Sequence, residues 1–213
     1  MALTDVHGNV RRALKLSQEA ERLKPNLVVL CGDLTHFGTL EDAETVLKCF
    51  RGFKTIYVPG NCDPPALLDI EKLSDALNIH GKLHIHGSVG FLGVGGALKG
   101  PFKTPIEFTE DHVARLLENA FERFDGRLIV VSHNPPWNTR VDRTFIGIHI
   151  GSKALRRFIE KVKPLAVLCG HVHEARGIDR LSETVIVNPG PARNGFYAFL
   201  DVDGGVKINL NRV

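Results

Sequence analysis

Apolar residues along the chain follow two rhythms, a helical period and short unbroken runs, and the two alternate as in a layered α/β protein. Asn9 to Leu23 carries Val10, Ala13, Leu14, Ala20 and Leu23 near helical spacing, and Pro25 marks its end. Leu27-Val28-Val29-Leu30-Cys31 is apolar throughout, as expected of a strand buried on both faces. Leu40 to Phe50 predicts a second helix and Thr55 to Val58 a further strand, while Pro64-Pro65 suits the first turn of a helix over Pro64 to Leu77. Leu83 to Leu92 reads as strands broken by Gly87 and Gly90. The second half repeats the alternation, with a helix over Thr109 to Phe124, a strand Leu128 to Val131, a Pro-, Asn- and Arg-rich loop from His133 to Gly151, a helix from Ser152 to Val162, and a strand Leu165 to Cys169. Strands at Thr184 to Val187, Gly195 to Val202 and Val206 to Leu210 close the chain, with turns at Asn188-Pro189-Gly190 and Asp203-Gly204-Gly205. No stretch reads as a linker, so one domain over residues 1–213 is expected.

Composition narrows the function classes. The net charge is +3 and the pI about 8.7, from similar totals of both signs. This mild basicity suits small anionic substrates better than a protein that coats nucleic acid. The longest apolar runs are too short to span a bilayer, and Met1-Ala2-Leu3-Thr4-Asp5 lacks a basic region followed by an apolar stretch. No membrane partner is expected, and oligomeric state is not legible. Cys31, Cys49, Cys62 and Cys169 are scattered without C-x-x-C pairing, so neither a disulfide framework nor a zinc ribbon is indicated, and a reducing cytoplasm is the expected location.

Five short motifs each begin where an apolar strand ends: Asp5-Val6-His7, Gly32-Asp33, Gly60-Asn61-Cys62-Asp63, Ser132-His133 and Gly170-His171-Val172-His173. The carboxyl ends of strands are where α/β sheets bind ligands. Taken singly the motifs are bland. Asp5-x-His7 reads as a capping aspartate and a surface histidine, Gly32-Asp33 and Gly60-Asn61 as turns, and His133 as a satisfied loop histidine. Gly170-His171-Val172-His173 is stronger, because histidines at strand spacing point to one side. Together they supply imidazoles, carboxylates and an amide oxygen, a mixed N/O set suited to Mn, Fe, Zn and similar divalent ions. The supply exceeds what one tetrahedral ion takes. Two ions ~3.5–4 Å apart, bridged by a carboxylate such as Asp33, clamp a phosphate and activate a water.

The ordered series D-x-H, G-D, G-N-x-D, H and G-H-x-H resembles the calcineurin-like metallophosphoesterase superfamily over almost the whole chain. The resemblance implies a four-layer α/β/β/α sandwich with a dinuclear site at one edge, loaded with two divalent ions drawn from Mn, Fe, Zn, Ni or Mg. Carried over by motif, Asp5, His7 and His173 would hold one ion, Asn61, His133 and His171 the other, and Asp33 would bridge them. Asn61, Cys62, Asp63 and His133 would be the catalytic set. Two departures stand out. Cys62 occupies the place where many members carry a histidine that protonates the leaving group, and a thiol is a poorer donor. Only Ala2, Leu3 and Thr4 separate Met1 from Asp5 where the family usually has a longer first strand, so either that strand is clipped or residues precede Met1. The G-N-C-D form resembles a compact subgroup that includes phosphodiesterases.

Around these motifs, His149, Arg140 and Arg143 are candidate substrate contacts in the long loop, each balanced against plain loop packing or solvated charge. Trp137 reads as a loop pin or a stacking platform, and Arg176 and Arg193 share the ambiguity of Arg140 and Arg143, phosphate partner or solvated charge. His36 reads as surface or site rim, His84 and His86 as structural or surface, and His80 and His112 as solvated. Cys31 and Cys169 read as small hydrophobes, and Cys49 carries no functional signal. The expected function is metal-dependent phosphoester hydrolysis, leaning to small phosphodiesters. The alternatives are a phosphomonoesterase or protein phosphatase, and a non-catalytic scaffold of the same fold. A nuclease on long DNA fits less well, for want of a dense basic stripe.

Overall fold

A computed structural model describes residues 1–121, 124–203 and 205–213. Strands β1 (Ala2–Leu3), β2 (Val28–Cys31), β3 (Thr55–Val58), β4 (Lys72–Leu73) and β5 (Ala76–Asn78), with β14 (Phe196–Asp201) and β15 (Lys207–Arg212), form a seven-stranded sheet in the order β15-β14-β1-β2-β3-β5-β4. Strands β6 (Leu83–His86), β7 (Val89–Val94), β10 (Arg127–Ser132), β11 (Ala166–Leu168), β12 (Gly177–Leu181) and β13 (Thr184–Asn188) form a six-stranded sheet in the order β12-β13-β11-β10-β7-β6. A separate short pair joins β8 (Ala97–Leu98) to β9 (Glu107–Phe108). The centre of each large sheet is parallel, with Leu3 opposite Leu30 and Cys31 opposite Val58 in one, and Val131 opposite Leu168 in the other.

The helices are α1 (Val10–Leu23), α2 (Leu40–Lys48), α3 (Glu110–Ala120) and α4 (Lys153–Val162). Alternation along the central strands assigns the layers. Val28 and Leu30 of β2 pack with Leu16 and Ala20 of α1 and Val46 and Leu47 of α2. Their neighbours Val29 and Cys31 turn the other way, into a core shared with Ile129 and Val131 of β10. Leu128 and Val130 of β10 then face Leu117 of α3 and Leu155 and Ile159 of α4. Helix, sheet, sheet and helix therefore stack in four layers, and both faces of β2 and β10 are dry. That is why these segments read as unbroken apolar runs.

Several expectations are corrected. Pro64 to Leu77 is not a helix. Pro65–Leu68 makes a single 3-10 turn, and the chain then pairs as β4 and β5, because Asn78 ties the segment down by donating from Nδ2 to the carbonyls of Leu67 and Ile70. Gly90 does not break a strand. It lies inside β7, where Phe124 packs over the space a side chain would fill. The helix expected over Thr109 to Phe124 is capped by Thr109 and ends at Ala120; Glu122 and Arg123, and Gly204 of the expected final turn, lie outside the described residues. His80 is not solvated: its Nδ1 accepts from Gly95 N at 2.9 Å, and it stacks on Phe108, which in turn stacks on His112. Strand β12 was invisible in the sequence because, as a half-exposed edge strand of five residues, it sets two adjacent charges, Asp179 and Arg180, between Ile178 and Leu181 and shows neither an apolar run nor an alternation.

Candidate metal centre

All five motifs sit where a parallel strand ends: β1 before Asp5, β2 before Asp33, β3 before Asn61, β10 before His133 and β11 before His171. The two sheets meet at this edge. Within each sheet the strand ends are tied, the Gly170 N–H to the His133 carbonyl and the Asp5 N–H to the Gly32 carbonyl, each at 3.0 Å, and across the sheets His133 Nδ1 stands 2.8 Å from the Cys31 carbonyl. The strand ends approach so closely that a Cβ on Gly60 would strike the backbone and carboxylate of Asp33, and one on Gly170 would strike Thr4 Oγ1 and Asp5 Oδ2. Only glycine fits there. Asp5, His7, Asp33 and His171 all hold positive φ, between 49° and 67°. Such a backbone is unfavourable for residues with a Cβ and persists where the surroundings enforce it.

The side chains form two groups that share one carboxylate. In the first, His7 Nε2 lies 3.0 Å from His173 Nε2 and 3.7 Å from Asp5 Oδ1, and His173 Nε2 lies 3.1 Å from Asp5 Oδ1. In the second, Asn61 Oδ1 lies 2.9 Å from both His133 Nε2 and His171 Nδ1. Asp33 stands between them, with Oδ2 3.7 Å from His7 Nε2 and Oδ1 3.5 Å from His133 Nε2. All seven expected ligands thus converge. One detail of the motif reading is corrected: His171 and His173 do not sit at strand spacing. The chain turns at His171 and begins a 3-10 turn at His173, so the two imidazoles diverge, one to each group.

Neighbours orient these ligands. His133 Nδ1 contacts the Cys31 carbonyl at 2.8 Å, which assigns its hydrogen to Nδ1 and leaves Nε2 to face Asn61. Thr4 Oγ1 donates to Asp5 Oδ2 at 2.8 Å and the Cys62 N–H donates to Asp33 Oδ1 at 2.8 Å. Asp63 is fully buried and receives the N–H groups of Leu34, Thr35 and Gly60 and the Thr35 hydroxyl. Its oxygens are occupied in bracing two turns.

Electrostatics follow from burial. Burial opposes charge on His133, but the Asp33 carboxylate beside it and Asp5 behind outweigh that and push it up to about 9. Burial, and then the charge on His133, hold His171 down to about 4. Burial likewise lowers His7. Burial, then the charge on Asp33, push the Cys62 thiol up, so it stays protonated.

The donor set fits divalent cations. Two imidazole nitrogens, His133 Nε2 and His171 Nδ1, stand 2.9 Å from Asn61 Oδ1, and the Nε2 atoms of His7 and His173 face each other at 3.0 Å. Ligands ~2.0–2.2 Å from a shared ion stand ~3.0–3.5 Å apart, so these spacings are those of a coordination shell. Asp5, His7 and His173 form one compact cluster of candidate ligand atoms, and Asp5, Asp33 and His133 another.

The pattern of the calcineurin-like phosphoesterase family matches residues 1–175. The chain belongs to that family. An uncharacterized protein of Methanocaldococcus jannaschii is 36% identical over 196 residues, covering 90% of this chain and 87% of its own. Among solved structures, a dimetal phosphatase from Danio rerio matches with TM-score 0.67 at 12% identity, covering 99% of this chain and 97% of its own. An archaeal phosphodiesterase matches with TM-score 0.60 at 14% identity, covering 100% and 98%. These two likenesses establish the calcineurin-like fold, and family membership makes the chain a metal-binding hydrolase of phosphoester bonds.

Residues around the calcineurin-like site divide. Arg193, ambiguous in the sequence, lies in it, with Nη2 3.1 Å from His173 Nδ1. Its sequence signal is position, just past a strand and a Pro-Gly turn. Thr4 had no signal beyond standing before Asp5. His36 reaches the rim, its ring edge-on to His7 at 5.1 Å. His149 is tied away by Nδ1 to Asp142 Oδ1 at 2.7 Å. Among the described residues neither Arg140 nor Arg143 bonds to the ligand cluster, and both are exposed. Trp137 pins its loop, with Lys153 Nζ 5.1 Å over the ring and Arg156 donating to its carbonyl.

Without cations, His133 keeps its proton up to about 9, so at pH 7 a cation entering beside Asn61 must displace it. Cation affinity should therefore rise with pH through this range. Calorimetric titration with Mn in buffers of different ionisation enthalpy should read about one proton released per chain at pH 7, falling away above pH 9. Release that does not change with pH would contradict the assignment of His133.

Proposed function

We propose that the chain is a two-cation phosphoesterase acting in the cytoplasm on small phosphodiesters. The observation that carries the reading is Asp33, whose two carboxylate oxygens face opposite ligand groups, 3.7 Å from His7 Nε2 and 3.5 Å from His133 Nε2. A terminal ligand presents one oxygen to one ion; a carboxylate so placed can bridge two. Asp5, His7 and His173 would hold one cation and Asn61, His133 and His171 the other. Bound there, the cations supply Lewis-acid stabilisation of phosphoryl charge and lower the pKa of a water.

The chain's own groups do the rest. The Cys31 carbonyl holds the hydrogen on His133 Nδ1, so Nε2 is the nitrogen whose lone pair would face a cation once its proton is displaced. Asn61 commits its oxygen to the ligand cluster, which leaves its amide N–H groups, one of them 3.5 Å from Cys62 Sγ, to donate to a substrate oxygen. Arg193 donates to His173 Nδ1, and that nitrogen must carry the hydrogen once Nε2 serves as a ligand. Loading the site therefore releases the guanidinium, which can then pair with the substrate phosphate.

The lean to diesters rests on Cys62. It is 7% exposed and remains a thiol, so it offers a weak donor where protonation of a poor leaving group is required. A diester with an acidic leaving alcohol does without that proton. A phosphomonoesterase, including a protein phosphatase, is the second reading, and the fold shared with a dimetal phosphatase favours keeping it in view.

Turnover of bis(4-nitrophenyl) phosphate tests the main reading. Asp33→Asn should lower it by about three powers of ten, equivalent to ~4 kcal/mol, and by more than His7→Ala or His173→Ala does. Near-normal turnover in folded Asp33→Asn would contradict a bridging role. Cys62→His should raise monoester turnover relative to diester turnover by at least ~10-fold, because imidazole is an acid poised near neutrality. An unchanged ratio at equal metal occupancy would remove Cys62 as the determinant of substrate class.

A further inference from the structure

The long loop between β10 and α4 ends in a stiff finger. Asp142 is fully buried at its base and accepts from the N–H groups of Asn138, Thr139 and Gly151, the Thr139 hydroxyl and His149 Nδ1. Above it, Arg143 and His149 form an antiparallel bridge. The Thr144 N–H donates to the Ile148 carbonyl at 2.9 Å, and the Gly147 N–H to the Thr144 carbonyl at 2.8 Å. A loop braced in this way has no need of exposed apolar side chains for its own stability. Yet Phe145 is 90% exposed, Ile146 80% and Ile148 54%.

Two facts place this finger at the metal centre. The Phe145 N–H donates to Glu174 Oε1 at 3.2 Å, and Glu174 directly follows the ligand His173. At the far side of His7, His36 packs on Phe37, itself 57% exposed. The approach to the cluster thus has apolar side chains on both flanks.

We infer that residues 144–148 insert into the apolar layer of an anionic lipid surface and bring its phosphoester headgroups to the metal centre. This rests on the phosphoesterase reading, narrows its small phosphodiester to a lipid headgroup, and revises the expectation of no membrane partner. Exposed apolar clusters rimmed by charge mark interaction sites. The shape selects the partner. Protein interfaces need packed, complementary surfaces. A tip whose apolar side chains, Phe145, Ile146 and Ile148, all stand exposed finds no such packing on a flat surface, whereas a fluid acyl layer closes around it. Charge agrees. The Arg143 guanidinium lies beneath the tip, 3.2 Å from where a Cβ on Gly147 would stand, and Arg140 is exposed at the base. Cations so placed are drawn to anionic headgroups. The nearby carboxylates Glu174 and Asp179 each accept from a backbone N–H of the loop and keep their charge, but Arg176 and Arg180 lie beside them in the sequence, so with Arg140 and Arg143 the cations outnumber the anions.

The test is co-sedimentation of the full chain with phosphatidylglycerol vesicles and with phosphatidylcholine vesicles, for wild type and for Phe145→Ser with Ile146→Ser. Turnover of soluble bis(4-nitrophenyl) phosphate and size in solution are read in parallel. Wild type should pellet with the anionic vesicles and less with the zwitterionic ones. The variant should lose at least ~10-fold in vesicle partitioning, with soluble turnover unchanged. Wild type left in the supernatant, or a variant that pellets equally well, would overturn the inference. So would a wild-type dimer that the variant turns into a monomer without vesicle binding, since the finger would then serve a second copy. Vesicle binding without turnover of any soluble ester and without headgroup release from the vesicle lipid would instead overturn the phosphoesterase reading and leave only the insertion of the finger standing.

Discussion

A single buried carboxylate, Asp33, lies between two groups of nitrogen and oxygen donors, and the rest of the site is arranged around it. It is 2% exposed and its surroundings hold its carboxyl well below the usual range: burial opposes the charge, but the His133 imidazole and His7 outweigh it. A buried anion is tolerated only when it is paired and hydrogen-bonded. Asp33 achieves this with His133, His7 and the Cys62 N–H. Its position requires β2 and β3 to end side by side, and it requires Gly60 to pass where no side chain could.

That constraint extends into the fold. Asp5, His7, Asp33 and His171 hold left-handed backbones, and the dry layers around them provide the rigidity that keeps them there. Parallel β1, β2 and β3 in one sheet and β10 and β11 in the other are hydrogen-bonded on both sides and packed on both faces. Polar braces finish the work at the strand ends. Asp63 ties the turns at Leu34, Thr35 and Gly60 together, and Thr4 fixes Asp5. The site is a consequence of strand ends that cannot move independently.

Legibility in the sequence obeys the same physics. The central strands were readable because burial on both faces demands unbroken apolar runs, and the ligands because each begins directly after such a run. Pro64 to Leu77 misled because paired prolines fit one helical turn, while the residues beyond that turn are held by a distant anchor, the Asn78 amide on Leu67 and Ile70. Strand β12 was hidden by its place at the edge. Asp63 was legible as part of its motif, whereas the hydrogen bonds by which it braces two turns are tertiary and leave no local pattern. His171 and His173 looked like one face of a strand because spacing alone carries no information about the positive φ at His171. Arg193 and His36 reach the ligands through tertiary packing that no local pattern encodes.

The central claim is that Asp33 joins two cation positions. The most direct measurement is metal content: purified protein stripped with chelator, titrated with Mn and analysed for bound ions at saturation, beside Asp33→Asn. A bridging Asp33 predicts two ions per wild-type chain and loss of at least one from the variant. A single tight ion in wild type that supports full turnover, with unchanged stoichiometry in the variant, would contradict it.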